Sequence, residues 1–305
     1  MSRFIFRRLL QGLVLVVLVA TVVFFLGRLT GDPVALMLSE DATPEDRANV
    51  IRALGLDQPL YTQYYVFAKN ALQGDLGVSL RMRQPTIDIF FSRLPNTLLI
   101  IPWALLLAMC VGIPLGVVAA LNRGRFLDRA AGTVAVLGIA MPSFWLGIVL
   151  IFIFSVELGW LPSGRMGGPE HYVLPVITLG AFLTAGFMRL TRSSMLDVME
   201  SEFVKLARIK GLSEGTVIWK HCLRNALIPL LTVWGVFVGN LITGAIVTET
   251  VFAWPGIGRL TYEAVIYRDF PMLQTVIILK SILILCINLV VDILYAYVDP
   301  RIRFT

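Results

Sequence analysis

The chain has 305 residues, of which 57% are hydrophobic and only 15% are charged, whereas a soluble domain carries about 25% charged residues. This composition excludes an ordinary soluble protein and a disordered chain, and it predicts a protein that faces lipid. The net charge is +6. We attribute it to the Lys and Arg residues that collect in the cytoplasmic loops of membrane proteins, and not to a surface that binds nucleic acid. Three scattered cysteines and two histidines are too few for a disulfide framework or a zinc site.

Six apolar stretches are each long enough to cross the hydrocarbon core of a membrane as a helix. They cover residues 9–27, 94–121, 130–155, 173–190, 226–249 and 273–297. The first follows three arginines and exceeds the apolar region of a cleavable signal peptide, which has about 7–15 residues, so we expect a retained anchor. The expected fold class is therefore all-α, a polytopic membrane protein with six transmembrane helices.

Basic residues are distributed unequally between the two faces that six spans create. Fifteen Lys and Arg fall in the N-terminal arm, the 122–129 loop, the 189–225 segment and the tail, against three in the short loops of the other face. Since Lys and Arg collect in cytoplasmic loops, we predict that both termini are cytoplasmic. The chain then divides into the N terminus and first span at 1–27, an external cap at 28–93 and a five-helix core at 94–305.

The external cap carries the signals of a helix of its own. Residues 43–46 combine a capping threonine, a proline and two acids, which is typical of a helix N terminus. We expect this helix to pack through Val50, Ile51 and Leu54 and to end at Gly55. It either packs onto its own protein as a self-contained lid or contacts a partner protein.

Glycine spacing predicts how the membrane helices pack. The runs 112–116 and 235–239 each contain two glycines four residues apart, a spacing that lets helix backbones approach closely. Ordinary helix packing is the alternative interpretation, because Gly and Pro are common in membrane helices. Together with the prolines in the spans, these glycines favour a compact, kinked bundle.

The sequence lacks the motifs of an energy-converting enzyme. No lysine follows a glycine, so a phosphate-binding P-loop is absent, and there is no nucleophile elbow and no HExxH metal motif. The intramembrane carboxylates Glu249 and Asp292 lie near the ends of predicted spans, whereas a proton-driven transporter is expected to carry charged relays deeper in the bilayer. An intramembrane enzyme is disfavoured, because no nucleophile–base or metal set can be assembled. An ATP-independent channel or secondary transporter remains an alternative.

The cytoplasmic segment between the fourth and fifth predicted spans is the most informative. Phe203, Leu206 and Ala207 recur at helical spacing, and Gly211 is expected to end this helix. Ser213 is placed to cap a second short helix. From the residues alone, this helix pair either rests on lipid headgroups or docks onto a partner protein.

The segments 205–212 and 221–229 resemble the signature loop of bacterial ABC importer permeases, which docks onto a cytoplasmic ATPase. The general family form is EAAxxxG, and here Lys205 replaces its glutamate while Ala207 and Gly211 are kept. The form found in dipeptide, oligopeptide and nickel permeases is matched closely. Further segments with the same resemblance are 31–33, 54–60, 74–77, 254–259, 268–271 and 299–301.

The resemblance implies a type I ABC importer permease fold with a small periplasmic cap, in the bacterial inner membrane. It implies an ATPase-coupling role for Lys205, Ala207, Arg208, Lys210, Gly211, Leu212, His221 and Arg224. It also implies that the chain is not itself an enzyme and holds no cofactor, because ATP and Mg²⁺ bind to two cytoplasmic ABC ATPases. A second, homologous permease would complete a heterodimer, and a periplasmic binding protein would deliver the substrate.

The expected substrate is a small peptide, either a dipeptide or an oligopeptide. The alternatives on the same machinery are nickel chelates, glutathione or another small solute. The binding protein, a separate chain, is expected to do most of the choosing among them.

Lys280 is a candidate residue of the translocation pathway, because it is the one lysine inside a predicted span. It follows Leu273 by seven residues, which places it about 10 Å into the helix at 1.5 Å per residue. A lysine that faces lipid costs about 2.5–3.5 kcal/mol at the bilayer centre on insertion scales. The side chain therefore either extends to the headgroups or faces the pathway or a buried acid, where it would attract a peptide carboxylate.

Overall fold

The computed structural model describes residues 2–29, 43–53 and 55–298, and these residues form helices, with one isolated β-bridge between Val78 and Pro85. The first six helices are α1 (Ser2–Leu29), α2 (Pro44–Ala53), α3 (Leu60–Leu72), α4 (Thr86–Leu121), α5 (Phe126–Ala140) and α6 (Ser143–Leu150). The others are α7 (Glu170–Met199), α8 (Glu202–Ile209), α9 (Glu214–Thr216), α10 (Leu223–Val251), α11 (Ile257–Ile266) and α12 (Phe270–Val298). π-Helical turns extend α6 through Ile151–Glu157 and α9 through Val217–Cys222.

The all-α membrane architecture is confirmed, but the count of six spans is not. Among the described residues, the helices long and apolar enough to cross a membrane are Phe6–Arg28, Thr86–Leu121, Glu170–Met199 and Phe270–Ile293. The pair α5 and α6 makes a fifth span if it is counted as one. The predicted span at 226–249 lies inside α10, a single helix over Leu223–Val251.

The predicted span at 130–155 is not a single helix. α5 and α6 are bent by 103° relative to each other at a break beside Met141 and Pro142. Pro142 has no N–H to donate, and its ring pushes the preceding residue out of the helical region. Met141 accordingly has φ −75° and ψ 122°, an extended conformation. Hydropathy alone missed this break, because proline interrupts the backbone without reducing the apolar character of the segment.

Contacts divide the chain into two compact units. Unit 1 contains residues 1–95 and 256–289, and unit 2 contains residues 96–255 and 290–303. Unit 1 therefore combines α1 and the segment predicted as the external cap with α11 and the first two-thirds of α12. The division into 1–27, 28–93 and 94–305 stays a prediction.

In unit 1, the cap helix forms where the sequence predicted it. α2 begins at Pro44, and Gly55 beyond its C terminus has φ +64°, the left-handed conformation that favours glycine. Of the three residues expected to pack it, Ile51 is half-buried, whereas the Val50 side chain and Leu54 lie outside the described residues. None of the predicted elements covers α3, which packs Tyr64 and Phe67 against Phe24 of α1. The ring centroids of Tyr64 and Phe67 lie 5.3 and 5.2 Å from that of Phe24.

In unit 2, one of the two glycine pairs makes the predicted close contact. A Cβ atom on Gly112 would lie 2.7 Å from the Thr184 carbonyl oxygen, and one on Gly116 would lie 2.6 Å from that of Met188. α4 and α7 can therefore approach this closely only because both positions lack a side chain. In contrast, a Cβ atom on Gly239 would meet none of the described atoms of this chain within 4 Å, so the chain itself makes no close contact at that glycine.

Candidate functional site

The 189–225 segment folds locally as the sequence predicts. α8 ends at Ile209, and Gly211 has φ +76° while its N–H donates to the Arg208 carbonyl at 2.9 Å. The Leu212 N–H donates to the Ala207 carbonyl at 3.3 Å, so the last carbonyls of α8 are satisfied by a left-handed cap. α9 begins after Ser213, whose hydroxyl accepts a hydrogen bond from the Thr216 N–H at 3.4 Å.

The buried face of α8 is narrower than the sequence predicts. Val204 and Ala207, one turn apart, are the two residues of α8 that are buried. They belong to an apolar cluster with these residues of α4, α7, α9 and α10: Val117, Ala120, Met195, Val217, Cys222 and Ala226. This cluster holds the helix pair against the ends of α4 and α7. Phe203 and Leu206, placed with Ala207 on one face by their spacing, are instead 43% and 56% exposed.

The outer face of α8 combines apolar and basic side chains. Phe203 and Leu206 lie one turn apart, and Ile209 follows at 81% exposure, so an apolar strip runs along the exposed side. Lys205 and Arg208 lie beside it and are also exposed. We define the coupling face as the exposed residues of 203–212. An exposed apolar patch bordered by polar side chains is typical of a surface that binds another protein or a membrane.

Two of the predicted coupling cations are paired within the chain. Lys205 Nζ lies 2.7 Å from Glu202 Oε1, and Arg208 Nε donates to Glu214 Oε1 at 2.9 Å. The second pair joins α8 to α9 across the turn at Gly211. The Arg208 guanidinium, for which the resemblance implies a coupling role, is therefore paired with a carboxylate of its own chain.

The other predicted coupling residues occupy different positions. Lys210 and Leu212 are exposed at the turn, and Ala207 is buried beneath the coupling face. His221 is half-buried in the π-helical turn, and Arg224 is exposed in the first turn of α10. For Lys210 and Arg224, the described part of the chain provides no carboxylate within 4.0 Å.

A second polar site in unit 1 joins two segments that the sequence analysis treated separately. Asp269 is buried, with 3% of its surface exposed. Its carboxylate accepts a hydrogen bond from the Ser79 hydroxyl at 2.5 Å. It also accepts hydrogen bonds from three backbone N–H groups, those of Leu80 at 3.2 Å, Arg81 at 3.3 Å and Met272 at 3.2 Å. The loop after 74–77 is thereby fixed to the turn at 268–271. No local signal could have identified Ser79, which is 190 positions from Asp269.

Lys280 lies in α12 and is buried, with 9% of its surface exposed. A lysine that extends from a lipid-facing helix surface to the headgroups keeps its charged end in water. Such a side chain would leave more of its surface accessible than Lys280 does. The burial therefore favours a position that faces protein over one that faces lipid.

Comparisons with known proteins agree with these features. The chain matches the family described as "Binding-protein-dependent transport system inner membrane component" over residues 112–304, and the corresponding N-terminal family over residues 1–101. It is 44% identical over 305 residues to the glutathione transport system permease protein GsiC of Escherichia coli K12, with 100% of both chains covered. The GsiC of Shigella boydii serotype 4 is 43% identical over the same length. The chain belongs to the ABC importer permeases of the dipeptide, oligopeptide and nickel type.

A solved structure shows the same fold. A chain of the MetNI methionine ABC transporter, in an inward-facing conformation, superimposes with a TM-score of 0.62 at 19% identity. The match covers 72% of this permease and 100% of that chain. The expected ABC importer permease fold is confirmed. Among the described residues of the permease, no group of three or more His, Cys, Asp or Glu side chains could hold a metal ion.

Burial of Cys222 beneath the coupling face gives a first prediction. The Cys222 side chain is fully buried, and this burial raises the pKa of its thiol above the ordinary value. Since the thiolate is the reactive form, maleimide should label Cys222 at least about tenfold more slowly at pH 7 than a cysteine introduced at the exposed position by Lys220→Cys. Equal rates in the folded permease would contradict the packing of α9 against α8.

Asp269 gives a second prediction. In Asp269→Asn, the amide nitrogen cannot accept the hydrogen bonds that one carboxylate oxygen now receives. An unsatisfied buried group of this kind costs about 1–3 kcal/mol, so the melting temperature of the purified permease should fall. Asp75→Asn is the matched control, because Asp75 is exposed and accepts one hydrogen bond, from the Gly77 N–H at 2.9 Å. A similar loss of stability in both variants would contradict this role of Asp269.

Proposed function

We propose that this permease imports short peptides that carry a free carboxylate, with the tripeptide glutathione as the first solute to test. The observation that carries this proposal is the 44% identity to a glutathione transport system permease over the full length of both chains. Dipeptides, longer peptides and nickel chelates are the other solutes to compare.

In this proposal the permease forms the pathway and does not hydrolyse ATP. Two cytoplasmic ABC ATPases hold ATP and Mg²⁺, a second homologous permease completes the pathway as a heterodimer, and a periplasmic binding protein delivers the solute. Both termini and the 189–225 segment lie in the cytoplasm, and residues 28–93 form the periplasmic cap. The unequal distribution of basic residues supports this orientation.

The coupling face is the part of the permease that we assign to the ATPase. Its apolar strip of Phe203, Leu206 and Ile209 fits a groove on a partner, in the way that an amphipathic helix docks. Lys210 and Arg224, which are exposed, would add attraction to acidic residues on the ATPase. The Arg208–Glu214 pair would instead keep α8 and α9 in the orientation that docks.

Reconstitution of the complete transporter in proteoliposomes tests the proposal. Uptake of radiolabelled glutathione should require the binding protein and ATP and should be blocked by vanadate. Parallel assays with dialanine and a nickel chelate determine the solute preference. Uptake by the permeases without the ATPases would contradict the proposal and favour a channel or secondary transporter.

Lys280 is proposed to line the pathway and attract the carboxylate of the solute. Lys280→Met should therefore reduce the uptake of glutathione by about tenfold, the effect of losing one charge-assisted hydrogen bond, without reducing the amount of permease in the membrane. Lys69→Met, at an exposed position near the C terminus of α3, is the matched control. Unchanged uptake by Lys280→Met would contradict a pathway role.

A further inference from the structure

Unit 1 contains a cavity, lined by both apolar and polar groups, that the roles assigned above do not use. Its volume is about 730 Å³, within the range of about 300–1,000 Å³ that is typical of sites for small molecules. α1, α3 and the loop that follows 74–77 contribute its lining, which includes Arg28, Gln63, Asn70 and Arg83. The cavity therefore lies in the part of the chain predicted to be periplasmic, where a solute would arrive first.

Arg28 is held in one orientation at this cavity. Its Nε donates to the Gln63 side-chain oxygen at 2.8 Å, and its guanidinium carbon lies 3.7 Å from the centroid of the Phe24 ring. Gln63 is itself fixed, because its amide nitrogen donates to the Gln58 carbonyl at 2.8 Å. Within the described residues, the two terminal nitrogens of Arg28 have no hydrogen-bond partner. These are the nitrogens with which arginine binds a carboxylate.

Arg83 contributes a second positive charge to the same cavity. It has φ +54° and lies in the 79–84 loop, where its N–H donates to the Ser79 carbonyl at 2.9 Å. The Asp269 carboxylate fixes the start of this loop. The backbone at Arg83 is therefore set by the fold, although its side chain is exposed.

The described residues that line the cavity provide two positive charges and no carboxylate. Among the residues that the structure describes, the lining contains amides, hydroxyls, apolar groups and the two guanidinium groups, and none of these residues is Asp or Glu. Arg81, in the same loop, differs: its guanidinium lies 3.6 Å from a Glu263 carboxylate oxygen and 3.6 Å from the centroid of the Tyr267 ring. Two guanidinium groups beside uncharged polar groups favour an anion with polar substituents.

We propose that this cavity is a receiving site for the C-terminal carboxylate of a short peptide. Arg28 binds the carboxylate through its terminal nitrogens, and Arg83 adds attraction at the rim. The side chains of Gln63 and Asn70 are available for the peptide amides. The assignment rests on the proposed function, since it assumes that the solute is a short peptide, and it adds a site outside the membrane spans where the peptide is held before it enters the pathway.

Binding of radiolabelled glutathione to the complete transporter in nanodiscs, without binding protein or nucleotide, tests this site. The wild-type transporter should bind glutathione at least about tenfold more tightly than it binds glutathione amidated at its C terminus. Arg28→Lys keeps the positive charge but loses the planar guanidinium group that binds a carboxylate through two nitrogens. Arg83→Gln removes a positive charge. Each variant should therefore bind glutathione about tenfold more weakly than the wild type. Lys69→Gln removes a charge from an exposed part of α3 that does not line the cavity and should leave binding unchanged.

The outcomes separate this site from the proposed function. Equal affinity for glutathione and its amide, or unchanged binding by both arginine variants with normal melting temperatures, would overturn the site even if ATP-driven glutathione uptake is observed. The site would also be overturned if these variants bind glutathione normally but no longer bind the binding protein. The cavity would then be a site for an acidic side chain of that partner. Selective glutathione binding without ATP-driven uptake would support the site and contradict the proposed function.

Discussion

Gly211→Val is expected to uncouple ATP hydrolysis from transport, with uptake by the reconstituted transporter reduced at least about tenfold and the amount of permease in the membrane unchanged. The reason is backbone conformation, because Gly211 has φ +76° and a Cβ atom there would meet nothing within 4 Å. A left-handed conformation costs a residue with a side chain about 1–2 kcal/mol. This is too little to unfold a protein stabilised by about 5–15 kcal/mol, but enough to change the favoured angle between α8 and α9.

Two variants isolate this cause. Gly215→Val places the same side chain in α9, where a Cβ atom would also meet nothing within 4 Å and φ is not positive, so transport should be retained. Gly211→Asn should be milder than Gly211→Val, because asparagine tolerates the left-handed region. The measurements are vanadate-sensitive ATP hydrolysis and uptake in the same proteoliposomes. Normal uptake by Gly211→Val would contradict the proposed coupling role of this turn.

Local signals in the sequence predicted the local structure of the 189–225 segment well. A glycine that ends a helix and a serine that begins one act through their own backbone neighbours, and both Gly211 and Ser213 occupy these roles. The buried face of α8 depends instead on what lies opposite. Phe203 is more apolar than Ala207, but the smaller residue packs against the ends of α4 and α7.

Contacts between distant segments could not be predicted from one sequence. The bond between Ser79 and Asp269 and the pairing of Arg28 with Gln63 join residues 190 and 35 positions apart. Neither pair has a periodicity or a spacing that would identify it. The candidate receiving site was missed for this reason, since its two arginines belong to α1 and to a loop that only the folded chain brings to one cavity.

The two glycine spacings show that this pattern alone does not predict a contact between helices. Both 112–116 and 235–239 satisfy the small-residue spacing. A neighbouring backbone lies against Gly112 and Gly116, whereas open space lies beside Gly239. The spacing permits a close approach, but it is the partner helix that determines whether one occurs. A matched pair of substitutions can therefore measure this difference.

Gly116→Val is expected to have the largest effect on folding. The new Cβ atom would lie 2.6 Å from both the Met188 carbonyl oxygen and the Thr191 Cβ atom, so α4 and α7 would have to separate. Crowding in a packed interior costs about 1–3 kcal/mol or more, and here backbone atoms rather than a flexible side chain must move. The amount of full-length permease in the inner membrane and its melting temperature should both fall sharply.

Gly239→Val is the control for Gly116→Val, because it adds the same three carbons to a membrane helix at a position where a Cβ atom would meet nothing within 4 Å. Its level in the membrane and its melting temperature should stay close to those of the wild type. Gly116→Ala should fall between the two, since it adds the clashing Cβ atom alone. If Gly116→Val accumulates and melts like Gly239→Val, the close contact between α4 and α7 is wrong.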